Sequence, residues 1–298
     1  MSNLIDASPR ALGDDLVVGP LGYGCWRLVA MSAADAQARI ECALEAGMTL
    51  IDTADVYGLD WGGTAFGSAE ALLGEVLKSS PSLRDRMVLA SKGGIIPGVP
   101  YDSGYLEEAC NNSLTRLNVE QLDLYQIHRP DMLCHPAETA RVLETLVSSG
   151  KVKEVGVSNY KPSQTSALIA CLDGKLVSQQ PEYSAMHLDP LFDGTFDQCM
   201  QYNQTVLAWS PLAGGRLGSG QDVPEALQSV LQTLAARENV DQATLSLAFT
   251  LAHPARPVAL VGSINPERIS AATAALSVNL DRTDVYKIIE ASLGESLP

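Results

Sequence analysis

A chain of 298 residues that is 46% hydrophobic carries enough apolar side chain for a sizeable core, and an α/β barrel is among the folds that use this length as one domain. A formal net charge of −15 argues against a nucleic-acid partner, because a phosphate-tracking surface needs clustered Lys and Arg and no such run is present. The six cysteines form no C-x-x-C pair, no apolar run reaches the roughly 18 residues of a spanning helix, and the first residues lack a basic-flanked apolar core, so a cytoplasmic chain with free thiols and no metal is expected.

Short runs rich in Val, Ile and Leu alternate with segments of helical period. The first strand is expected at 16–23, and Ser32 before Ala33-Ala34-Asp35 opens a helix that Gly47 closes. Strands follow at 48–53 and 87–92. Ser103 then starts a helix and Asn118 ends it, leading into a fourth strand at 122–128. Ala140, Val142, Leu143 and Leu146 repeat at helical spacing, with Gly150 placed as a C-cap. The remaining strands are expected at 153–158, 176–181, 205–210 and 257–262, the last preceded by two helices within Pro224 to His253.

Eight strands alternating with eight helices predict an α/β fold, a (β/α)8 TIM barrel in a single domain spanning 1–298. A doubly wound open sheet shares the alternation, but its phosphate turn needs G-x-G-x-x-G. Gly19-Pro20-Leu21-Gly22-Tyr23-Gly24 has the wrong spacing, which favours the closed barrel. The glycine-rich stretch Gly214 to Val223 follows the seventh strand, where a barrel carries loops of its active face.

In such a barrel the ionisable groups at strand C-termini converge on one mouth. Asp52 ends the second strand, Tyr57 lies just beyond it, Lys92 ends the third and His128 the fourth. These four suit carbonyl reduction, in which the oxygen needs a proton. A nearby ammonium stabilises a phenolate, so Lys92 is expected to lower the pKa of Tyr57, with Asp52 orienting Lys92 and His128 donating a hydrogen bond to the carbonyl. Tyr23, Trp26 and Trp61 are candidates for an aromatic wall of the pocket, and the segment Ile95 to Tyr101 for its rim.

Ile51-Asp52-Thr53-Ala54-Asp55-Val56-Tyr57-Gly58, Gly67-Ser68-Ala69-Glu70, Ser91-Lys92, Tyr125-Gln126-Ile127-His128, Gly156-Val157-Ser158-Asn159, Gln180-Pro181-Glu182-Tyr183, Trp209-Ser210-Pro211-Leu212 and Gly262-Ser263-Ile264-Asn265 follow one another along the chain. Together they resemble the aldo-keto reductases over nearly the whole sequence. The resemblance implies a catalytic tetrad of Asp52, Tyr57, Lys92 and His128 and direct hydride transfer from a nicotinamide to an aldehyde or ketone, without metal. It further implies that Ser158, Asn159 and Gln180 bind the nicotinamide carboxamide, that Trp209 stacks on its ring, that Ser210, Leu212 and Gly214 wrap the pyrophosphate, and that Ser263 and Arg268 meet the 2′-phosphate of NADPH.

Gly262 stands where many family members carry Lys or Arg, and Ala271-Ala272 where a Glu-Asn pair is common, which leaves use of NADH open. The partner expected is a small carbonyl compound. A monomer is compatible with the sequence, which leaves the oligomeric state open. A second reading, from a different class, is a nucleotide-binding redox sensor or accessory subunit with weak reductase activity.

Overall fold

A computed structural model describes residues 3–59, 62–95 and 103–297. A short hairpin comes first, β1 (Arg10–Leu12) against β2 (Leu16–Val18). Eight parallel strands then close on themselves in chain order: β3 (Leu21–Gly24), β4 (Leu50–Asp52), β5 (Val88–Gly93), β6 (Leu122–Ile127), β7 (Val152–Ser158), β8 (Leu176–Gln180), β9 (Thr205–Ala208) and β10 (Val258–Val261), the last pairing with β3. The fold is the (β/α)8 barrel.

The strand expected at 16–23 is two elements. Pro20 removes a donor, and Gly19 runs so close to Gly47 that a Cβ would lie 2.3 Å from its carbonyl oxygen, so the chain changes direction between them. The first half joins the hairpin and only Leu21–Gly24 enters the barrel.

Alternation along each strand sorts side chains between two cores. Leu50, Val88, Ala90, Leu124, Leu207, Val258 and Leu260 cluster inside the barrel, joined from below by Leu12 and Val18 of the hairpin, which therefore plugs its floor. Ile51, Leu89, Tyr125, Ile127 and Val157 belong to the larger layer under the helices. Tyr23 lies in that outer layer too, almost fully buried, so it is no part of a pocket wall. Trp61 and residues 96–101 of the expected rim lie outside the described residues.

The outer layer holds α1 (Ala33–Glu45), α2 (Ser68–Ser79), α3 (Ser103–Leu117), α4 (Pro136–Ser148), α5 (Pro162–Ile169), α6 (Asp189–Phe192), α7 (Thr195–Tyr202), α8 (Arg216–Ser219), α9 (Glu225–Glu238), α10 (Gln242–Leu251), α11 (Pro266–Ala271) and α12 (Arg282–Leu293). Twelve α-helical segments among the described residues replace the eight expected. The segments beyond one per strand come from Gly194, in the left-handed region, separating α6 from α7, from the short α8 after the seventh strand, and from the α9–α10 and α11–α12 pairs. Ser32 caps α1 by accepting the Asp35 N–H, and α9 and α10 are the two consecutive helices expected.

Candidate active site

At the C-terminal mouth the inward positions change from apolar to polar within two residues. On β4, Leu50 is in the apolar interior and Asp52 above it; on β5, Ala90 is followed by Lys92; on β6, Leu124 by Gln126. Asp52 and Lys92 are both buried, and the ammonium Nζ lies 2.6 Å from Asp52 Oδ2. It also donates to the Thr53 carbonyl at 2.8 Å. Gln180 and Gln126 donate to Asp52 Oδ1 at 3.1 and 3.3 Å, so both carboxylate oxygens are satisfied. A buried charge pair of this kind persists only with such full pairing.

Tyr57 lies in the turn after β4. Its carbonyl accepts the Ala69 N–H at the start of α2, and its phenol is hydrogen-bonded to the Lys92 ammonium. Lys92 Nζ lies 5.0 Å from the ring centroid, and the His128 ring stands edge-on to Tyr57 at 5.8 Å. Lys92 was expected to bring the tyrosine below its ordinary pKa, and here the balance is the reverse. Burial raises the phenol and outweighs the opposing pull of Lys92, while Asp52 adds to the rise. Lys92 itself is held above its ordinary value by Asp52 and Tyr57, against the effect of burial.

His128 follows β6, and its backbone N–H donates to the Gly93 carbonyl at 2.8 Å. Burial, with Lys92 and Arg129 nearby, holds the imidazole well below its usual pKa, so it is neutral at pH 7. Its Nδ1 is buried without a hydrogen-bond partner among the described residues.

From this centre a chain of hydrogen bonds crosses the mouth. Ser158 Oγ donates to the Gln180 carbonyl, Asn159 Nδ2 to the His128 carbonyl and to Ser158 Oγ, and Trp209 Nε1 to Asn159 Oδ1 at 3.1 Å. Asn159 takes a left-handed backbone conformation, as this side chain tolerates best after glycine. Ser210, Leu212 and Gly214 follow β9, with Ser210 Oγ accepting the Gly214 N–H at 2.9 Å. Ser263 caps the turn after β10 by accepting from Asn265 N–H, and Arg268 is exposed on α11.

The structure thus gathers Asp52, Tyr57, Lys92, His128, Ser158, Asn159, Gln180 and Trp209 in one network, with Ser210, Leu212, Gly214 and Ser263 on the two adjoining loops and Arg268 on α11. Three participants escaped the sequence reading. Gln126 and Ser178 extend the Asp52 network inside the barrel, and Arg27 bridges the loops by donating to the Gly262 and Gly214 carbonyls at 3.2 and 3.3 Å. Gln126 was signalled by its two-residue spacing from His128, which puts both on the inward face; nothing local in the sequence pointed to Arg27.

Residues 20–292 match the profile of the aldo/keto reductase family. The chain belongs to that family. This aldo/keto reductase is 46% identical to a protein of Novosphingobium aromaticivorans described as 6-dehydroglucose reductase, over 97% of each chain. A protein of the same description from Agrobacterium fabrum is 36% identical over 96% of this chain and 98% of its own. Among solved structures, an aldo/keto reductase from Klebsiella pneumoniae, in complex with NADP and acetate, superposes with a TM-score of 0.78 at 27% identity, covering 95% of this chain and 94% of that one. This aldo/keto reductase is accordingly an oxidoreductase. No helix among its described residues is long and apolar enough to cross a membrane.

Proposed function

We propose that this enzyme reduces an aldehyde or ketone to the alcohol at the expense of NADPH, with Tyr57 as the proton donor. The observation that carries the reading is the fully buried Lys92 ammonium, held between Asp52 and the Tyr57 phenol at the barrel mouth.

The residues present suit a nicotinamide dinucleotide. Ala213, Gly214 and Gly215 all take left-handed backbone angles, and a Cβ on either glycine would meet nothing within 4 Å, leaving an open strip of backbone for a pyrophosphate. Arg268, exposed on α11, offers a guanidinium to a 2′-phosphate, with Ser263 beside it. The Klebsiella relative carries NADP. Ser158, Asn159 and Gln180 would hold the carboxamide and Trp209 the ring face, the Trp209–Asn159 bond opening as they do so. The bound cofactor supplies the hydride.

The chain's own residues handle the oxygen. Tyr57, whose phenol is held above its ordinary value by burial, carries its proton at neutral pH and so has one to give. As the proton leaves, Lys92 stabilises the phenolate, and Asp52 keeps that ammonium charged and aimed. Neutral His128 offers a ring N–H to the carbonyl oxygen rather than a competing proton. The whole chain is read as one catalytic domain.

The relatives' description makes a sugar carrying a C6 aldehyde the first substrate to try. Loss of NADPH absorbance would be followed with 6-dehydroglucose and a panel of aliphatic and aromatic aldehydes, for the wild type and Tyr57→Phe. The expected result is turnover of at least one aldehyde, with kcat reduced by about 100-fold or more in Tyr57→Phe, the scale of a lost general acid. Full activity in Tyr57→Phe would remove the proton-donor assignment. NADPH that binds without being consumed by any carbonyl would favour a nucleotide-binding accessory role.

A further inference from the structure

The turn between Asp52 and Tyr57 contains a second carboxyl, Asp55, which the mechanism above does not use. It is completely buried. Its backbone N–H donates to the Lys92 carbonyl at 3.0 Å, so it is fastened to the residue that faces the phenol. Its Oδ2 accepts the Tyr105 hydroxyl of α3 at 3.3 Å, and its Oδ1 has no partner among the described residues.

We propose that Asp55 is a positioning residue for Tyr57, tying the turn that carries the phenol to the first turns of α3 through Tyr105. The proposal rests on Tyr57 being the proton donor.

The surroundings are those of an acid in its neutral form. Facing Asp55 are Glu70 of α2, Tyr105 and Arg116 of α3, Tyr125 of β6 and the backbone of Lys92 on β5. Arg116 is engaged by Glu70, its Nε 2.6 Å from Oε2, and Glu70 Oε1 accepts the Ser91 hydroxyl. No cation bonds the Asp55 carboxyl itself among the described residues. Burial, reinforced by the negative charge of Glu70, lifts Asp55 to about 8, with Arg116 and Tyr105 opposing.

The consequence is a pH limit on catalysis. Below that value the neutral carboxyl fits a site from which water is excluded and holds the turn in place. Above it the carboxylate is repelled by Glu70 and needs water, and the turn carrying Tyr57 must shift to supply it. Tyr57 is held above its own ordinary value, so its ionisation enters at higher pH and is separable.

The test is the pH profile of kcat for carbonyl reduction in the wild type, Asp55→Asn and Tyr105→Phe, each first shown to melt cooperatively. Asparagine imitates the neutral acid and cannot ionise, so the shape of the profile, whatever its height, is the readout. At one unit above the midpoint the wild type should keep about a tenth of its plateau, whereas Asp55→Asn should keep its own plateau within about threefold, its remaining fall belonging to Tyr57. Tyr105→Phe removes a hydrogen bond that favours the carboxylate, so its fall should move to higher pH. An Asp55→Asn profile superimposable on the wild type, or a Tyr105→Phe fall displaced to lower pH, overturns the proposal. If Tyr57→Phe is inactive while Asp55→Asn leaves the profile unchanged, only the Asp55 inference fails. If Tyr57→Phe is active, the reading beneath it fails instead.

Discussion

Replacing Asp52 by Asn keeps the shape of the side chain, removes its charge and turns one of its two acceptor oxygens into a donor, leaving the Lys92 ammonium buried with a backbone carbonyl and a phenol. Two unit charges about 4 Å apart attract by about 4 kcal/mol at an effective dielectric constant near 20, and breaking a buried pair from one side costs about 3–5 kcal/mol. With both side chains inaccessible and the Nζ–Oδ2 distance 2.6 Å, Asp52→Asn should therefore lose about 3–5 kcal/mol at pH 7, measured by equilibrium urea unfolding. An unpaired buried lysine has a folded pKa below its unfolded value. Its contribution is lost as pH falls through that folded value and returns as pH rises, so the deficit of Asp52→Asn should shrink in alkaline solution. Adding Lys92→Met removes the orphaned charge, and the double variant should regain at least about half of the loss, since a buried ion pair exchanged whole for neutral side chains is often close to neutral. A single variant within about 1 kcal/mol of the wild type, or a double variant no more stable than Asp52→Asn, would refute the view that this is a tightly coupled buried pair.

Tyr125, in the layer beneath α3, has a buried hydroxyl without a partner among the described residues, and a Cβ on Gly93 would lie 2.0 Å from that oxygen. Tyr125→Phe is expected to be neutral or stabilising by up to about 1–3 kcal/mol, Gly93→Ala destabilising, and the pair closer to the wild type than Gly93→Ala alone, all measurable by thermal and urea unfolding. His128, held well below its usual pKa, should stay neutral through the neutral pH range and titrate only well below the ordinary histidine midpoint when its ring nitrogens are followed by NMR. An ordinary midpoint near pH 6.5 would show an imidazole more hydrated than this structure places it.

Strand order and the identity of the mouth residues were legible because both depend on short-range pattern. A run of apolar residues ending in Asp52, in Lys92 or just before His128 announces a buried strand with a polar terminus, and parallel strands in a closed ring must carry such termini to the same end. The division of 16–23 into hairpin and barrel strand was less legible, because the turn at Gly19 depends on Gly47, a contact distant in sequence. Arg27 likewise acquires its role only when the loops after β9 and β10 come within reach of it.

The direction of each pKa was the part that sequence could not supply. Reading Lys92 beside Tyr57 as a charge pair suggests a lowered phenol, yet the sign depends on how much water the fold removes from it, and burial wins. The same holds for Asp55, which the sequence reads as no more than a lining residue between Asp52 and Tyr57 until α2 and α3 cover it and leave its carboxyl with no bonded cation among the described residues. The amino-acid sequence by itself determined which chemical groups stand at the ends of which strands, since hydrophobic alternation and chain order are local properties. Only the tertiary structure decided which of those groups are charged, because solvation and pairing are set by neighbours that the chain brings together from far apart.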